Sequence, residues 1–148
     1  MINLMLQNKT PIIYGDGEQK RSFSDIDDCI FCIDKLLFDK KINKQVVNIG
    51  PDENFITINE LYQILSNKLQ FNKTAKYYLD RPNEVKYAKC SSNKARKILD
   101  YKTTTSLDDS IQKVVDYIKQ KGPKKFLYDY EIELNNDLVP ITWKKKLF

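Results

Sequence analysis

A tight turn after an apolar pair constrains this chain more than any other local feature. Ile13 and Tyr14 run directly into a Gly-Asp-Gly sequence at Gly15 to Gly17. The two glycines permit positive φ angles and close approach of a neighbouring group. Arg21 follows within a few residues, in a chain whose positive charge is mostly lysine, and its planar guanidinium suits a phosphate. The segment therefore predicts a strand, a turn and an anion-binding side chain in close succession.

Size and composition favour one folded α/β domain. The chain has 148 residues, of which 41% are hydrophobic, enough to bury a core and too many for a disordered chain. No apolar run approaches the roughly 20 residues that span a bilayer, and the first residues lack the features of a signal peptide. Three cysteines, an odd number, favour reduced thiols over a disulfide framework. We therefore expect a cytoplasmic protein with no membrane partner.

The apolar pattern along the chain predicts alternating strands and helices. Apolar and β-branched runs predict three strands, over 11–14, 46–49 and 75–79. Residues that cap helix N-termini predict four helix starts, at Ser24, Thr57, Ser91 or Ser92, and Ser106. In the first of these helices the apolar residues recur at helical spacing, so we expect the following stripe to face the core: Ile26, Cys29, Ile30, Ile33, Leu36 and Leu37.

The C-terminal residues change in pattern. Gly122 followed by Pro123 is expected to end the last long helix. Apolar and polar residues then alternate from Phe126 to Leu134, and this period of two predicts a half-buried strand.

A second arginine lies in a proline-fixed loop, and the two arginine motifs together resemble one family. Tyr14 to Phe23 reads YGDG-x-Q-x-R-x-F, and Arg81 begins an R-P-x-E-V sequence. Both are similar to motifs in the C-terminal half of extended short-chain dehydrogenases, the NAD-dependent nucleotide-sugar epimerases and dehydratases. Weaker matches over 48–61 and 92–101 follow in the same order, so that the resemblance runs from about residue 5 to residue 120.

The resemblance implies both a fold and a binding site. It implies an α/β protein with a partial extended short-chain dehydrogenase fold, a small mixed sheet with flanking helices and no complete Rossmann domain. Residues 1–123 would form the substrate-binding portion, and 124–148 a C-terminal strand and tail extension. Ile13, Tyr14 and Gly15 would line a nucleotide-sugar cleft, and Arg21 and Arg81 would hold the diphosphate.

The residues of these motifs are most similar to those of UDP-sugar enzymes, UDP-glucuronate decarboxylases among them. The resemblance therefore implies a UDP-sugar in preference to a dTDP- or GDP-sugar. The family's helix-start aspartate matches Asp28, for which we expect a structural role.

Cys29 and Cys32 form a C-x-x-C pair on the predicted helix. We expect both to pack in the core, because the chain has no histidine to complete a zinc site.

Two alternatives stay open at this point. One is a non-catalytic nucleotide-sugar-binding or protein-interaction module derived from such an enzyme. The other, nucleic-acid binding, is disfavoured because the lysines are dispersed and the only lysine run is Lys144 to Lys146. If the chain is the substrate-binding portion of such an enzyme, its partner would be a separate Rossmann half or a second copy of this chain.

The sequence predicts that this chain alone does not bind NAD. It contains no glycine-rich strand-to-helix turn to hold a dinucleotide pyrophosphate. Tyr117 and Lys121 match the family's catalytic Tyr-x-x-x-Lys only in spacing, a coincidence expected of so short a pattern. We expect no heat of NAD binding by calorimetry and no epimerase or dehydratase turnover, and purification with bound NAD would contradict this.

Overall fold

The computed structural model of the protein describes residues 1–39, 42–128, 131, 133 and 136–147. Its helices in chain order are α1 Ile2–Leu6, α2 Ile26–Phe38, α3 Ile58–Leu69, α4 Asn93–Leu99, α5 Leu107–Lys121 and α6 Ile141–Lys144. Its strands are β1 Ile12–Tyr14, β2 Lys20–Arg21, β3 Ile56–Thr57, β4 Lys76–Tyr78 and β5 Tyr87–Ala88. The α/β class expected from the sequence is confirmed, and the described residues form no complete Rossmann domain.

The chain divides into two compact units, each built from separated stretches of sequence. The first unit takes residues 1–19, 57–86 and the described residues from 116 onward, and the second takes 20–56 and 87–115. This division follows spatial packing, whereas the predicted division into 1–123 and 124–148 follows family resemblance and stays a prediction.

A two-stranded parallel sheet organises the first unit. Strands β1 and β4 pair with Ile13 opposite Tyr77 and Tyr14 opposite Tyr78, which confirms the strands predicted over 11–14 and 75–79. Ile13 is 1% exposed, and the unit also buries apolar residues of α1 and α3, namely Met5, Tyr62 and Leu65. Because the strands run in parallel, the segments that follow them meet at one edge of the sheet.

The second unit holds strands β2 and β5 and its own core. Strand β2 pairs in parallel with β5, with Lys20 opposite Tyr87. The core is a cluster of five buried residues, Cys32, Ile42, Ala95, Leu99 and Tyr101. Cys32 is fully buried, as expected for a packing cysteine.

Helix capping agrees with the sequence at two of the predicted positions and differs at a third. Thr57 and Glu60 form a reciprocal capping box at α3, and the Ser106 hydroxyl accepts a bond from the backbone N–H of Asp109 at 3.1 Å. At α2 the predicted cap Ser24 is wrong. Asp25 caps that helix, because its carboxylate accepts the N–H of Asp27 at 3.0 Å.

The strand predicted over residues 46–49 is wrong. These residues are irregular, and Val46 is 85% exposed. A strand exists only where a second backbone satisfies its N–H and C=O groups. Among the described residues no strand pairs with this segment, and Val47 and Ile49 pack against the core of the second unit without forming a strand.

The strand predicted over residues 126–134 falls partly outside the described residues, since 129, 130, 132 and 134 are not among them. Residues 126–128 are irregular, and the prediction for the rest stays a prediction. No helix of the described chain is long and apolar enough to cross a bilayer.

The prediction that the apolar stripe of α2 faces the core is wrong. Ile26, Ile30, Ile33 and Leu37, called the α2 face below, are between 49% and 72% exposed. The buried residues of α2 are Asp28 and Cys32, on another side of the helix. Hydrogen bonds held by Asp28, described below, fix that side inward and leave the longer apolar stripe outside.

The exposed apolar side chains of the α2 face predict a surface that promotes self-association. Exposed apolar patches of several hundred Å2 mark interfaces or aggregation sites. We expect the isolated chain to bind a hydrophobic dye and to self-associate, and an Ile33→Lys/Leu37→Lys variant to do both less. Its stability should change by less than about 0.5 kcal/mol, since both side chains are exposed. Dye fluorescence, analytical ultracentrifugation and urea unfolding measure these effects.

The matched control is Leu127→Lys, which changes a residue that is 69% exposed outside α2. If the control lowers dye binding as much as the double variant, or if the unmodified chain is a monodisperse monomer without dye binding, the α2 face is not such a surface.

Candidate functional site

The Gly-Asp-Gly turn lies at the carboxyl edge of the β1–β4 sheet, beside the loop that carries Arg81. The N–H of Gly15 donates to the carbonyl of Tyr78, the last residue of β4, at 2.8 Å. Gly15 has a φ of +62°, and a Cβ there would lie 1.9 Å from a carboxylate oxygen of Asp80. Crevices outside the carboxyl ends of parallel strands are the usual ligand-binding positions in α/β folds.

Asn59, in the first turn of α3, holds the turn from the other side. Its amide donates to the carbonyl of Asp16 at 2.9 Å and to the carboxylate of Glu18 at 2.7 Å. Its backbone N–H donates to the carbonyl of Gly17 at 3.0 Å, and its amide oxygen accepts from the Tyr77 hydroxyl at 2.9 Å. No local sequence pattern indicates this role, because Asn59 is 42 positions from the turn.

Arg81 stacks on a residue of β1. The guanidinium carbon lies 4.9 Å from the centre of the Tyr14 ring, a cation–π distance. Glu84 binds the same guanidinium through both carboxylate oxygens, with Nε donating at 3.2 Å and Nη2 closer still. Hydrogen bonding to Glu84 raises the pKa of Arg81 further above its usual range. The arginine is therefore charged and held in one orientation.

A small polar cavity of about 240 Å3 opens beside Arg81. Its lining residues all belong to the first unit: Gln19, Asp80, Arg81, Asn83, Glu84 and Lys86. Gln19 is buried, and its amide donates to the carbonyl of Tyr14 at 3.0 Å. Lys86 forms an ion pair with Asp16 at 2.7 Å, and this hydrogen-bonded pairing lowers the pKa of Asp16.

The first unit thus brings Ile13, Tyr14, Gly15 and Arg81 together, with Ile13 buried beneath the others. Arg21 lies in the second unit, on β2 opposite Ala88 of β5. Its guanidinium Nη1 donates to the carbonyl of Lys20 at 2.7 Å, and the residue is half-buried.

Two further charged residues have structural partners in the second unit. The buried Asp28 accepts the backbone N–H groups of Thr104 at 3.1 Å and Thr105 at 3.3 Å, and so ties α2 to the segment before α5. This is the structural role expected for it. Arg96 pairs with Asp52 and Glu53, and its hydrogen bonds hold the pKa of Asp52 well below its usual range.

The cysteines are free thiols in the structure. Cys29 is half-buried, Cys32 is buried and Cys90 is exposed. Burial raises the pKa of both Cys29 and Cys32, which disfavours the reactive thiolate. In the part of the chain that the structure describes, no group of three His, Cys, Asp or Glu side chains is placed to hold a metal.

Gly17→Ala should test how firmly Asn59 holds the turn. Gly17 has a φ of +75°, and a Cβ would meet the Asn59 amide at 2.0 Å. The substitution therefore adds the strain of a left-handed residue to the loss of hydrogen bonds made by Asn59. We expect it to cost about 2–4 kcal/mol in urea unfolding.

Gly122→Ala is the matched control, because Gly122 has a φ of +77° but no atom within 4 Å of the added Cβ. It carries the backbone strain alone, about 1–2 kcal/mol. Equal losses for the two variants would show that Asn59 does not hold the turn.

Comparison with known proteins finds relatives among nucleotide-sugar epimerases and dehydratases. A family model described as GDP-mannose 4,6 dehydratase matches residues 1–114. The UDP-glucuronate 4-epimerase of Thermodesulfobacterium geofontis is 27% identical over 119 residues, which cover 80% of this chain and 36% of that protein. The chain spans between 36% and 38% of the length of the first curated relatives that it matches.

Solved structures of nucleotide-sugar epimerases align with a similar share of this chain. The UDP-glucuronic acid 4-epimerase of Bacillus cereus, in complex with UDP-glucuronic acid and NAD, aligns with a TM-score of 0.76 at 35% identity. The alignment covers 82% of this chain and 38% of that chain. The UDP-glucose 4-epimerase of Thermotoga maritima, solved with UDP-glucose, also has a TM-score of 0.76, over 81% of this chain and 38% of that one, and at 24% identity it supports the fold alone.

Proposed function

This chain belongs to the extended short-chain dehydrogenase family of nucleotide-sugar epimerases and dehydratases, and from that premise we propose that it is the nucleotide-sugar-binding portion of such an enzyme. The proposed ligand is a UDP-sugar, in preference to a dTDP- or GDP-sugar. The observation that carries the proposal is the pairing of Arg81 with Tyr14 at the carboxyl edge of the β1–β4 sheet.

The surroundings of Arg81 support a phosphate contact. A guanidinium has five N–H donors, and Glu84 accepts from two of them, so three remain for a ligand or other acceptors. Because Glu84 and the Tyr14 ring fix the group in place, little side-chain freedom is lost when a phosphate binds. Lys86 adds a second cation to the cavity lining.

The carboxylates and amides of the same cavity suit hydroxyl groups. Asp80 and Glu84 can accept hydrogen bonds from a sugar or ribose, and Gln19 and Asn83 can donate as well as accept. The volume of about 240 Å3 lies below the roughly 300–1,000 Å3 of typical ligand pockets. It therefore fits a part of a UDP-sugar, as expected of one portion of a larger site.

Arg21 is the second proposed phosphate contact, on the strength of its place in the YGDG-x-Q-x-R-x-F motif. Strand pairing fixes its backbone, and a bond to the Lys20 carbonyl orients its guanidinium. Arg96, the remaining arginine, is excluded from the proposal because Asp52 and Glu53 both bind it.

The proposed partner is an NAD-binding Rossmann half, on the same polypeptide or a separate one, with the chain alone binding no NAD. The chain spans less than two-fifths of its relatives, and the α2 face offers apolar surface to a partner. A cytoplasmic location fits the three free thiols. A second copy of the chain, or a non-catalytic interaction module, is the alternative that the same exposed face favours.

Removal of either proposed arginine should weaken binding of the diphosphate. Charge-assisted hydrogen bonds contribute about 1.5–3 kcal/mol each, so we expect Arg81→Ala and Arg21→Ala each to weaken UDP binding about tenfold or more. Calorimetric titration should show that the unmodified chain prefers UDP to UMP and that both variants lose this preference. Arg21→Lys should recover only part of the affinity, because lysine lacks the planar fork.

Lys97→Ala is the control for loss of one positive charge, since Lys97 is an exposed residue of α4. It should leave UDP affinity unchanged apart from a small salt-dependent effect. Equal UDP affinity in the unmodified chain and both arginine variants would overturn the site assignment. Retained UDP binding with no gain on adding the Rossmann half of a relative would favour the non-catalytic module.

A further inference from the structure

A hydroxyl from the C-terminal tail meets the far end of the Tyr14 side chain. The Tyr14 and Thr142 hydroxyls form a hydrogen bond, although the two residues are 128 positions apart. We infer that Thr142 is a positioning residue for Arg81, acting through Tyr14 on the nucleotide-sugar site. This inference rests on the proposed function, in which Arg81 contacts the diphosphate.

The bond to Thr142 completes the fixing of Tyr14. The backbone of Tyr14 pairs with Tyr78 in the sheet, and its carbonyl accepts from Gln19 at 3.0 Å. Thr142 is fully buried, so its hydroxyl is shielded from water that would compete for the tyrosine. A side chain held at both ends keeps a single ring orientation.

The orientation of that ring matters because Arg81 lies on it. The guanidinium carbon is 4.9 Å from the ring centre, and stacking of this kind requires the ring face to point at the cation. Glu84 holds Arg81 from within its own loop, whereas the Tyr14 ring is its contact with the sheet. If the ring were free to turn, Arg81 would lose its contact with the sheet and keep its pairing with Glu84 in the loop.

The tail that carries Thr142 is docked onto the first unit by other contacts. The Trp143 ring packs edge-on against Phe126, with centres 6.0 Å apart. Asn3 of α1 donates to the Lys124 carbonyl at 2.8 Å and accepts from the Lys124 N–H at 3.0 Å. A helix as short as α6 depends on such contacts, since four residues do not sustain a helix alone.

The position of Thr142 distinguishes it from the motif residues. It lies beyond residues 1–114, the part that the family model matches. No sequence pattern pointed to it, and its role follows from the packing of the tail alone.

The test compares Thr142→Val, which keeps the shape but removes the hydroxyl, with Thr142→Ser, which keeps the hydroxyl. One lost hydrogen bond corresponds to about a two- to tenfold change in an equilibrium. We expect Thr142→Val to weaken UDP binding by that factor with little change for UMP, and Thr142→Ser to bind UDP as the unmodified chain does. Tyr14→Phe, which keeps the ring but removes its hydroxyl, should match Thr142→Val.

A second measurement reports on Arg81 without a ligand. The chain has only three arginines, so their side-chain Nε–H signals can be assigned in a 15N NMR spectrum by substitution. In Thr142→Val the Arg81 signal should lose order, seen as a lower heteronuclear NOE, while the Arg96 signal stays unchanged. Thermal unfolding followed by circular dichroism establishes that each variant is folded.

The outcomes separate this inference from the function on which it rests. If Arg81→Ala loses UDP binding but Thr142→Val keeps both UDP affinity and Arg81 order, Thr142 has no positioning role. If Thr142→Val weakens UDP and UMP equally, or Thr142→Ser fails to restore binding, the tail is merely structural. If the unmodified chain binds no UDP, the proposed function fails and the ligand role of Thr142 fails with it, whereas the NMR result still decides the contact with Arg81.

Discussion

The hydrogen bonds between Asn59 and the Gly-Asp-Gly turn are the constraint on which the rest of the candidate site depends. They join the start of α3 to the end of β1, and the capping box at Thr57 fixes where α3 begins. With the turn held, β1 keeps its register with β4, and Tyr14 and the Arg81 loop meet at one edge of the sheet. Because Gly17 lies directly against Asn59, a side chain at that position would displace Asn59 and weaken its hold on the turn.

The three arginines have different contacts, and these contacts decide which of them stabilise the fold and which are candidates for the site. Arg96 is bound by two carboxylates and holds the loop that carries Asp52 and Glu53. Arg81 shares one carboxylate and an aromatic ring, and lines a polar cavity. Arg21 lies on a strand, and its guanidinium donates to the carbonyl of Lys20. Charge alone does not distinguish them, since all three are cations at any physiological pH.

The α2 face and residues 46–49 show two different fates of apolar sequence in the second unit. The α2 face carries its apolar stripe outward. Residues 46–49 have the composition of a strand but no pairing strand among the described residues, and Val47 and Ile49 instead pack against the core of the unit. The α2 face is thus the one of the two that has the character of an interface.

The sequence by itself determined many of the local elements and the family. The strands at Ile13 and over 75–79, the capping box at Thr57 and the arginine motifs are set by residues close together in the chain, so their patterns can be read directly. The inward side of α2, the hold of Asn59 on the turn and the bond of Thr142 to Tyr14 were decided only by the tertiary structure. Each joins residues tens of positions apart, and a periodic pattern shows which residues share a face without showing what that face will meet.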